Sequence, residues 1–416
     1  MKGNIKMSEI TKNDFDLVIA GADLNCYNLA RAFHEAYGVI SYAFGRYEIG
    51  CTKHSRIVRF TTVPDFDDPD VFVKTLSAFA DEHKDKKLIL IGCTDDYAGL
   101  IIKNKKLLED RFIMPYIDEP LWHKLQSKAN FYKECDAYGI KYPKTKIIGA
   151  DWDKNILSPE SLGFEYPIIV KPSSSILYWK YPFDGMKKVY FADTREQAEE
   201  IINTIFSSGY PDEIILQDTI PGDDYNMRVL TAYSDKHGKV KMMCLGHVIL
   251  EEHSPKARGN HAAIITEENS ELCEFYKNYL ESIGYVGFAY FDIKYDERDG
   301  SYRAFEINLR QGRSNYYVTA SDCNIARIIV EDNIGGGLEG IRYGKEAFWH
   351  IVPKKIIYSY LTKYPETKKL IHKLVAEKKE YSSYFYNYDL SSNPLRIFYA
   401  LAYTFNHFKK YRKYPK

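Results

Sequence analysis

Neither sign of charge dominates this sequence. Lys and Arg number 57 and Asp and Glu number 57, so the formal net charge is zero. Nothing in that balance favours a nucleic acid or an acidic polymer as partner. Cysteine is sparse and unorganised. The seven thiols (Cys26, Cys51, Cys93, Cys135, Cys244, Cys273 and Cys323) form no CxxC pair and show no close Cys/His spacing. A disulfide framework and a zinc site are thereby disfavoured, and buried thiols in a reducing compartment are expected. No apolar run approaches the ~18 residues of a membrane span. The opening MKGNIKMSEITKND lacks the apolar core of a signal peptide. A soluble cytoplasmic protein is expected. A GxGxxG run is also missing: Gly21 stands alone after the first apolar strand, which argues against a dinucleotide site.

What is present is an alternation of strands and helices over 416 residues, room for two or three domains. Asp16–Gly21, Val39–Phe44 and Lys87–Ile91 read as buried strands, with helical spacing over 24–37 and 69–84. That order predicts a parallel sheet whose ligand crevice lies at the strands' carboxyl ends, where Gly21, Arg46, Asp95 and Asp96 sit. A single amphipathic helix is expected over 121–139. Strands follow at 167–172, 187–191 and 214–217, with a helix near 194–207. Two hairpins are then expected: 226–233 with 240–250, and 286–295 with 302–308. The second turns on Asp296–Gly300, where Asp-Gly allows a tight reversal.

The last 64 residues differ. Positions 353–416 hold 14 Lys/Arg against four Asp/Glu, which leaves the preceding chain near −10. Residues 394–408 carry an aromatic stripe at helical spacing, and 409–416 add five cations. Two readings stay open: a helix docked on the acidic body, or peripheral contact with an anionic membrane surface.

The chemistry concentrates in the second hairpin. Alternation along Phe305-Glu306-Ile307-Asn308 puts Glu306 and Asn308 on one face, and pairing across the turn lets Asp292 join them. Two carboxylates and an amide oxygen form a hard-oxygen set suited to Mg²⁺ held together with phosphates. Upstream, Lys171 ends the buried strand Ile169-Val170 and precedes a Pro-Ser-Ser-Ser loop, and Lys128 lies on the preceding helix. Gln217 to Asp224 leaves a strand into a Pro-Gly turn that could edge a nucleotide.

In this order (Lys128, Ile169-Val170-Lys171-Pro172, Leu216-Gln217…Gly222-Asp223-Asp224, Asp292, Glu306-x-Asn308) the chain resembles the ATP-grasp superfamily over about 13–335. Its Glu306-x-Asn308-x-Arg310-x-x-Arg313-Ser314 run is similar to the ExNxRxxRS segment of carbamoyl-phosphate synthetase large chains. Taken whole, including Phe305–Thr319 (FEINLRQGRSNYYVT), it resembles the bacterial D-aspartate ligases of peptidoglycan cross-bridge synthesis. The resemblance implies an α/β ATP-grasp fold: a disordered 1–12, a pre-ATP-grasp parallel-sheet domain at 13–122, and an ATP-grasp domain at 123–338. The latter would hold a lid at about 142–216 and a C-terminal antiparallel sheet, followed by a helical basic extension at 339–416.

For the site, the resemblance implies ATP and Mg²⁺ as cofactors. Lys128 and Lys171 would meet phosphates, Gln217 adenine, Ile220 the hinge backbone and Asp224 the ribose. Asp292, Glu306 and Asn308 would hold the metal, Arg310 the transferring phosphoryl group and Arg313 an anionic substrate. The lid loop departs from the family's glycine-rich pattern, reading Ser173 to Lys180 with Gly185 arriving late. Arg228, Lys256, Arg258 and His261 are candidates for the amino-acid substrate, and His253 and His261 for a general base. The implied partners are a small amino acid and a nucleotide-linked peptide. Another ATP-grasp amino-acid or dipeptide ligase, or a non-catalytic nucleotide-binding protein, remains an alternative.

Overall fold

Residues 10–255 and 257–415 are described by a computed structural model of the chain. Residues 1–9 of the segment expected to be disordered, and the substrate candidate Lys256, lie outside the described residues.

The first layer is a five-stranded parallel sheet of β1 (Phe15–Ala20), β2 (Ser41–Gly45), β3 (Val58–Thr62), β4 (Lys87–Gly92) and β5 (Phe112–Ile113), in the order β3-β2-β1-β4-β5. Every residue of β1 is buried, as a strand covered on both faces requires. Gly21 ends it at φ +142°, and a Cβ there would sit 2.7 Å from the Cβ of Cys93, so only glycine lets β1 and β4 end this close together. Strand β3 is absent from the sequence reading. It is a half-exposed edge, Val-Arg-Phe-Thr-Thr, with no apolar run to announce it.

The expected helix over 121–139 is two helices, Glu119–Leu125 and Lys128–Tyr138. The Ser127 hydroxyl accepts from the Asn130 N–H and caps a new start, which puts Lys128 in the first turn.

A smaller antiparallel sheet follows: β6 (Thr145–Ile148), β7 (Ile168–Pro172), β8 (Tyr190–Ala192) and β9 (Ile214–Asp218), ordered β6-β9-β7-β8. It packs against the helix Arg195–Ser207 around its own core, which includes Leu157, Ile168, Val170, Ile202, Ile205 and Leu216. This core is separate from the two that fill the rest of the molecule.

The largest sheet joins β10 (Met227–Ser234), β11 (Val240–Glu251), β12 (His261–Glu267), β13 (Gly287–Asp296), β14 (Ser301–Asn308), β15 (Arg342–Tyr343), β16 (Phe348–His350) and β17 (Glu380–Ser382). The order β14-β13-β10-β11-β12-β16 is antiparallel. Strands β15 and β17 add in parallel to β11 and β16, so the sheet is mixed rather than antiparallel throughout. The segment after 339, expected as a helical extension, therefore also supplies three strands. Those strands were unreadable because each is only two or three residues long.

The C-terminal helix, Pro394–Lys413, docks on the body. Its inward face is Arg396, Ala400, His407 and Tyr411, not the aromatic stripe. Arg396 is 2% exposed, lies over the Tyr27 ring and pairs with the fully buried Asp389 at 2.9 Å. Asp389 also accepts from the Tyr27 hydroxyl, the Ser55 hydroxyl and the Arg56 N–H. Removing one partner of such a pair strands the other charge in the interior. Asp389→Ala is expected to cost ~3–5 kcal/mol in urea unfolding. Lys369→Ala, which breaks only the exposed pair with Glu366, should cost less than ~1 kcal/mol.

Candidate active site

The β13–β14 register sets Asp292 directly opposite Glu306 and Asn308 opposite Tyr290. Asn308 Nδ2 donates to Asp292 Oδ2 at 3.2 Å, while Ile307 turns to the apolar side and is buried. Lys128, from the first turn of its helix, pairs with Glu306. These side chains line one cleft of about 360 Å³, together with Arg310, Arg313 and His261. That volume suits a small-molecule site.

The two carboxylates answer to different fields. Burial pushes the Asp292 carboxyl well above its ordinary range, and neighbouring Glu306 pushes it further. Burial also opposes charge on Glu306, but Lys128 and then Lys188 outweigh it and hold Glu306 ionised far below the usual carboxylate range. Side by side and desolvated, the pair is stable only with one proton or with a cation between them.

The two arginines sit on a loop locked from behind. Asn25, at the start of the helix Leu24–Tyr37, donates to the Cys93 and Gln311 carbonyls, at 2.7 and 3.1 Å. Gln311 Nε2 donates to the Gly92 carbonyl, Asn315 Nδ2 to Asn25 Oδ1, and Asn28 Nδ2 to the Arg313 carbonyl. Gly312 passes against the Tyr290 ring with no room for a Cβ. From this loop Arg310 forks onto Asp95, with Nε 2.9 Å and Nη2 3.0 Å from its two oxygens. Arg313 pairs with buried Glu252 at 2.9 Å, and Glu252 in turn meets Lys410 of the C-terminal helix at 3.3 Å. Four buried atoms of the cleft make no hydrogen bond: Asp292 Oδ1, His261 Nε2, Arg310 Nε and Arg313 Nη1, although Asp292 Oδ1 and His261 Nε2 lie 3.6 Å from each other and Arg310 Nε lies against Asp95. His261 is bonded through Nδ1 to the Tyr290 hydroxyl, and burial lowers it to about 4, so the ring is neutral near pH 7.

Lys171 sits at the end of β7 in an apolar nest. It donates to Gln217 Oε1 at 2.8 Å and lies near the rings of Tyr132 and Phe305. It makes no ion pair with a carboxylate among the described residues. Burial first, then the charge of Lys128, draws it down to about 7. Gln217 is fully buried and also donates to the Tyr132 and Thr145 hydroxyls, so it orients Lys171 from beneath.

Other expected residues stand apart. The Ile220 carbonyl is taken by Lys294 Nζ. The carboxylate expected at a ribose, Asp224, is bonded to His253 Nε2 at 2.9 Å and accepts from the Glu251 N–H, away from the cleft lining. Arg228 does not line the cleft: its Nε lies 2.6 Å from Glu267 and its Nη1 donates to the Tyr225 and Met227 carbonyls, so it braces β10 against β12. Arg258 is exposed over the Phe191 ring and does not line the cleft. Conversely, Lys188 and Trp179 from the β7–β9 region line it, as does Asp95, although the sequence singled out only Asp95, and only as a residue at a strand end.

For a divalent cation, the available donors are Asp292, Glu306 and the Asn308 amide. Among the described residues no group of three or more His, Cys, Asp or Glu is assembled for a metal. The smaller set fits Mg²⁺, which keeps its waters and phosphates and takes only one or two carboxylates from protein. Asp292 Oδ1 makes no hydrogen bond and lies 3.6 Å from His261 Nε2; an ion held there would relieve the raised carboxyl.

No family model matches the chain. It is 40% identical over 418 residues to a D-aspartate ligase of Enterococcus faecium (strain Aus0004), covering 98% of each. Its fold matches the crystal structure of an L-amino acid ligase from Bacillus licheniformis with a TM-score of 0.55 and 16% identity, over 79% of this chain and 76% of that one. It also matches N5-carboxyaminoimidazole synthetase from Staphylococcus aureus, with a TM-score of 0.58 and 14% identity over 86% and 88%. A third match is the biotin carboxylase domain of 2-oxoglutarate carboxylase from Hydrogenobacter thermophilus, crystallised with MgADP. Its TM-score is 0.58 at 14% identity over 80% and 73%.

A buried lysine with a lowered pKa weakens the fold wherever it is charged. The unfolded chain binds this proton up to its ordinary value near ~10.4, the folded chain only up to about 7. The penalty is therefore complete below pH 7 and lifts as pH rises toward 10. Lys171→Met is expected to raise the stability of the ligand-free protein at pH 6.5 by about 1–3 kcal/mol, a gain that shrinks at pH 9.5. Urea unfolding at the two pH values measures it, and a loss of stability at pH 6.5 would contradict the burial argument.

Proposed function

The chain belongs to the D-aspartate ligases of the ATP-grasp superfamily and is a ligase that forms a C–N bond; on that premise we propose that it joins the β-carboxyl of D-aspartate to the lysine side-chain amine of UDP-MurNAc-pentapeptide, in the cytoplasm, for peptidoglycan cross-bridges. The observation that carries this reading is the convergence of Lys128, Asp292, Glu306, Asn308, Arg310 and Arg313 on one cleft. A carboxylate is a poor electrophile. Its oxygen attacks the γ-phosphorus of ATP, ADP leaves, and the acyl phosphate so formed is attacked by the amine, which loses a proton as inorganic phosphate departs.

Each side chain has a task in that sequence. Mg²⁺ held by Asp292, Glu306 and Asn308 would neutralise phosphate charge. Lys128 and Lys171 meet phosphate oxygens, and Arg310, held by Asp95, faces the charge of the transferring phosphoryl group. Arg313, with Nη1 unpartnered, takes a substrate carboxylate. Neutral His261, whose Nε2 makes no hydrogen bond and lies 3.6 Å from Asp292 and 3.7 Å from Glu251, would receive the amine proton.

The direct test measures phosphate release with each D- and L-amino acid, with and without the nucleotide-linked pentapeptide. Release that requires both D-aspartate and the precursor supports the reading. Turnover with a different amino acid moves the chain to another ligase chemistry, and no turnover with any overturns it. Asp292→Asn and Glu306→Gln are each expected to lower kcat by at least ~100-fold with the fold intact by circular dichroism. A loss under ~3-fold, or less than ~1 kcal/mol of barrier, would remove them from metal and phosphate binding. Arg313→Ala should raise KM for the amino acid at least ~10-fold while KM for ATP moves less than ~3-fold. The reverse split would return Arg313 to a structural partner of Glu252.

A further inference from the structure

The C-terminal helix is amphipathic in the unexpected direction. Its docked face is polar and aromatic, with Arg396, His407 and Tyr411 all buried. On the opposite side Phe398, Leu401, Phe405 and Phe408 recur at three- and four-residue spacing and point away from the body. Phe398 and Phe405 are each 65% exposed. With Leu395 and Ile397 also exposed, six of the large exposed hydrophobics of the described residues lie on these 20 residues. Monomeric proteins rarely leave such a contiguous stripe without a partner.

The charges beside it select the partner. No Asp or Glu occurs after Asp389. Arg396 and Lys410 are engaged by Asp389 and Glu252, whereas Lys409, Arg412 and Lys413 have no carboxylate partner among the described residues. Arg412 continues the apolar stripe at its C-terminal end. A second copy meeting this face by a two-fold axis would bring two such cation-bearing, acid-free faces together. No described helix is long and apolar enough to cross a membrane, so this one can only lie along a surface. We propose that the outward face of the helix Pro394–Lys413 is a docking surface for an anionic lipid bilayer: the Phe398–Phe408 stripe enters the acyl boundary, and Lys409, Arg412 and Lys413 contact headgroup phosphates. Docking on the body through Arg396 and Tyr411 presents that face rather than hiding it.

Full-length protein sedimented with vesicles of phosphatidylglycerol and phosphatidylcholine, or of phosphatidylcholine alone, tests this. Binding is expected with the anionic vesicles at low salt, weaker at physiological salt, and absent with the neutral ones. Phe398→Ser with Phe405→Ser should lower apparent vesicle affinity at least ~10-fold. Lys409→Glu with Arg412→Glu and Lys413→Glu should remove the salt-dependent part. Both sets should keep the wild-type melting temperature, because these side chains face solvent. The proposal fails if anionic vesicles do not bind the protein at low salt, or if the double serine variant binds as wild type does. It fails equally if sedimentation equilibrium finds a dimer that the double variant dissolves while vesicle binding is nil, since a second copy would then be the occupant.

Discussion

The cleft depends on one buried cluster of amides. Asn25 and Gln311 donate to the carbonyls at the end of β4 and Asn315 Nδ2 donates to Asn25 Oδ1, binding segments 286 residues apart in the chain. An unsatisfied buried polar group costs about 1–3 kcal/mol, so breaking any of these donations would leave carbonyls stranded in the interior. That arrangement sets the path of Leu309 to Ser314 and with it both arginines. The parallel sheet contributes no strand to the β13–β14 hairpin, yet the helices that follow its strands decide, through Asn25 and Asp95, where Arg310 and Arg313 lie.

The charges of the cleft are matched in pairs that a ligand would have to rearrange. Lys128 answers Glu306, Arg310 answers Asp95 and Arg313 answers Glu252. Lys171 has only neutral partners and stands drawn down to about 7. An anion near Lys171 would favour the charged form that burial and Lys128 oppose. The same desolvation that raises Asp292 makes a cation welcome there.

Sequence exposed the parts of this site that obey a local rule. Period-two alternation and an Asp-Gly turn were enough to bring Asp292, Glu306 and Asn308 to one face, and an apolar run ending in lysine located Lys171. Non-local pairing defeated it. Nothing local separates Arg228, which braces Glu267 from a strand two places away, from Arg310, which reaches the cleft. Asp224 looked free in a Pro-Gly turn because its partner His253 comes 29 residues later. Gln311 and Asn315 were visible as letters within a motif, but their role needs Asn25, whose contact is set by the tertiary fold. Strands β15 to β17 were too short to carry a period.

The C-terminal helix shows why periodicity alone cannot orient an element. An aromatic stripe at helical spacing suggests a buried face, and here that inference points the wrong way round. The helix is held instead by specific polar contacts: Arg396 with Asp389, the Tyr411 hydroxyl with the Glu251 carbonyl, and Lys410 with Glu252. The last of these shares its carboxylate with Arg313. Glu252 is held ionised against its burial by Arg313 first and Lys410 next. Removing the helix would withdraw Lys410 and His407 and leave Arg313 to hold the buried carboxylate ionised, tightening that pair. The basic tail is therefore part of the electrostatics of the cleft, even though its outer face looks elsewhere.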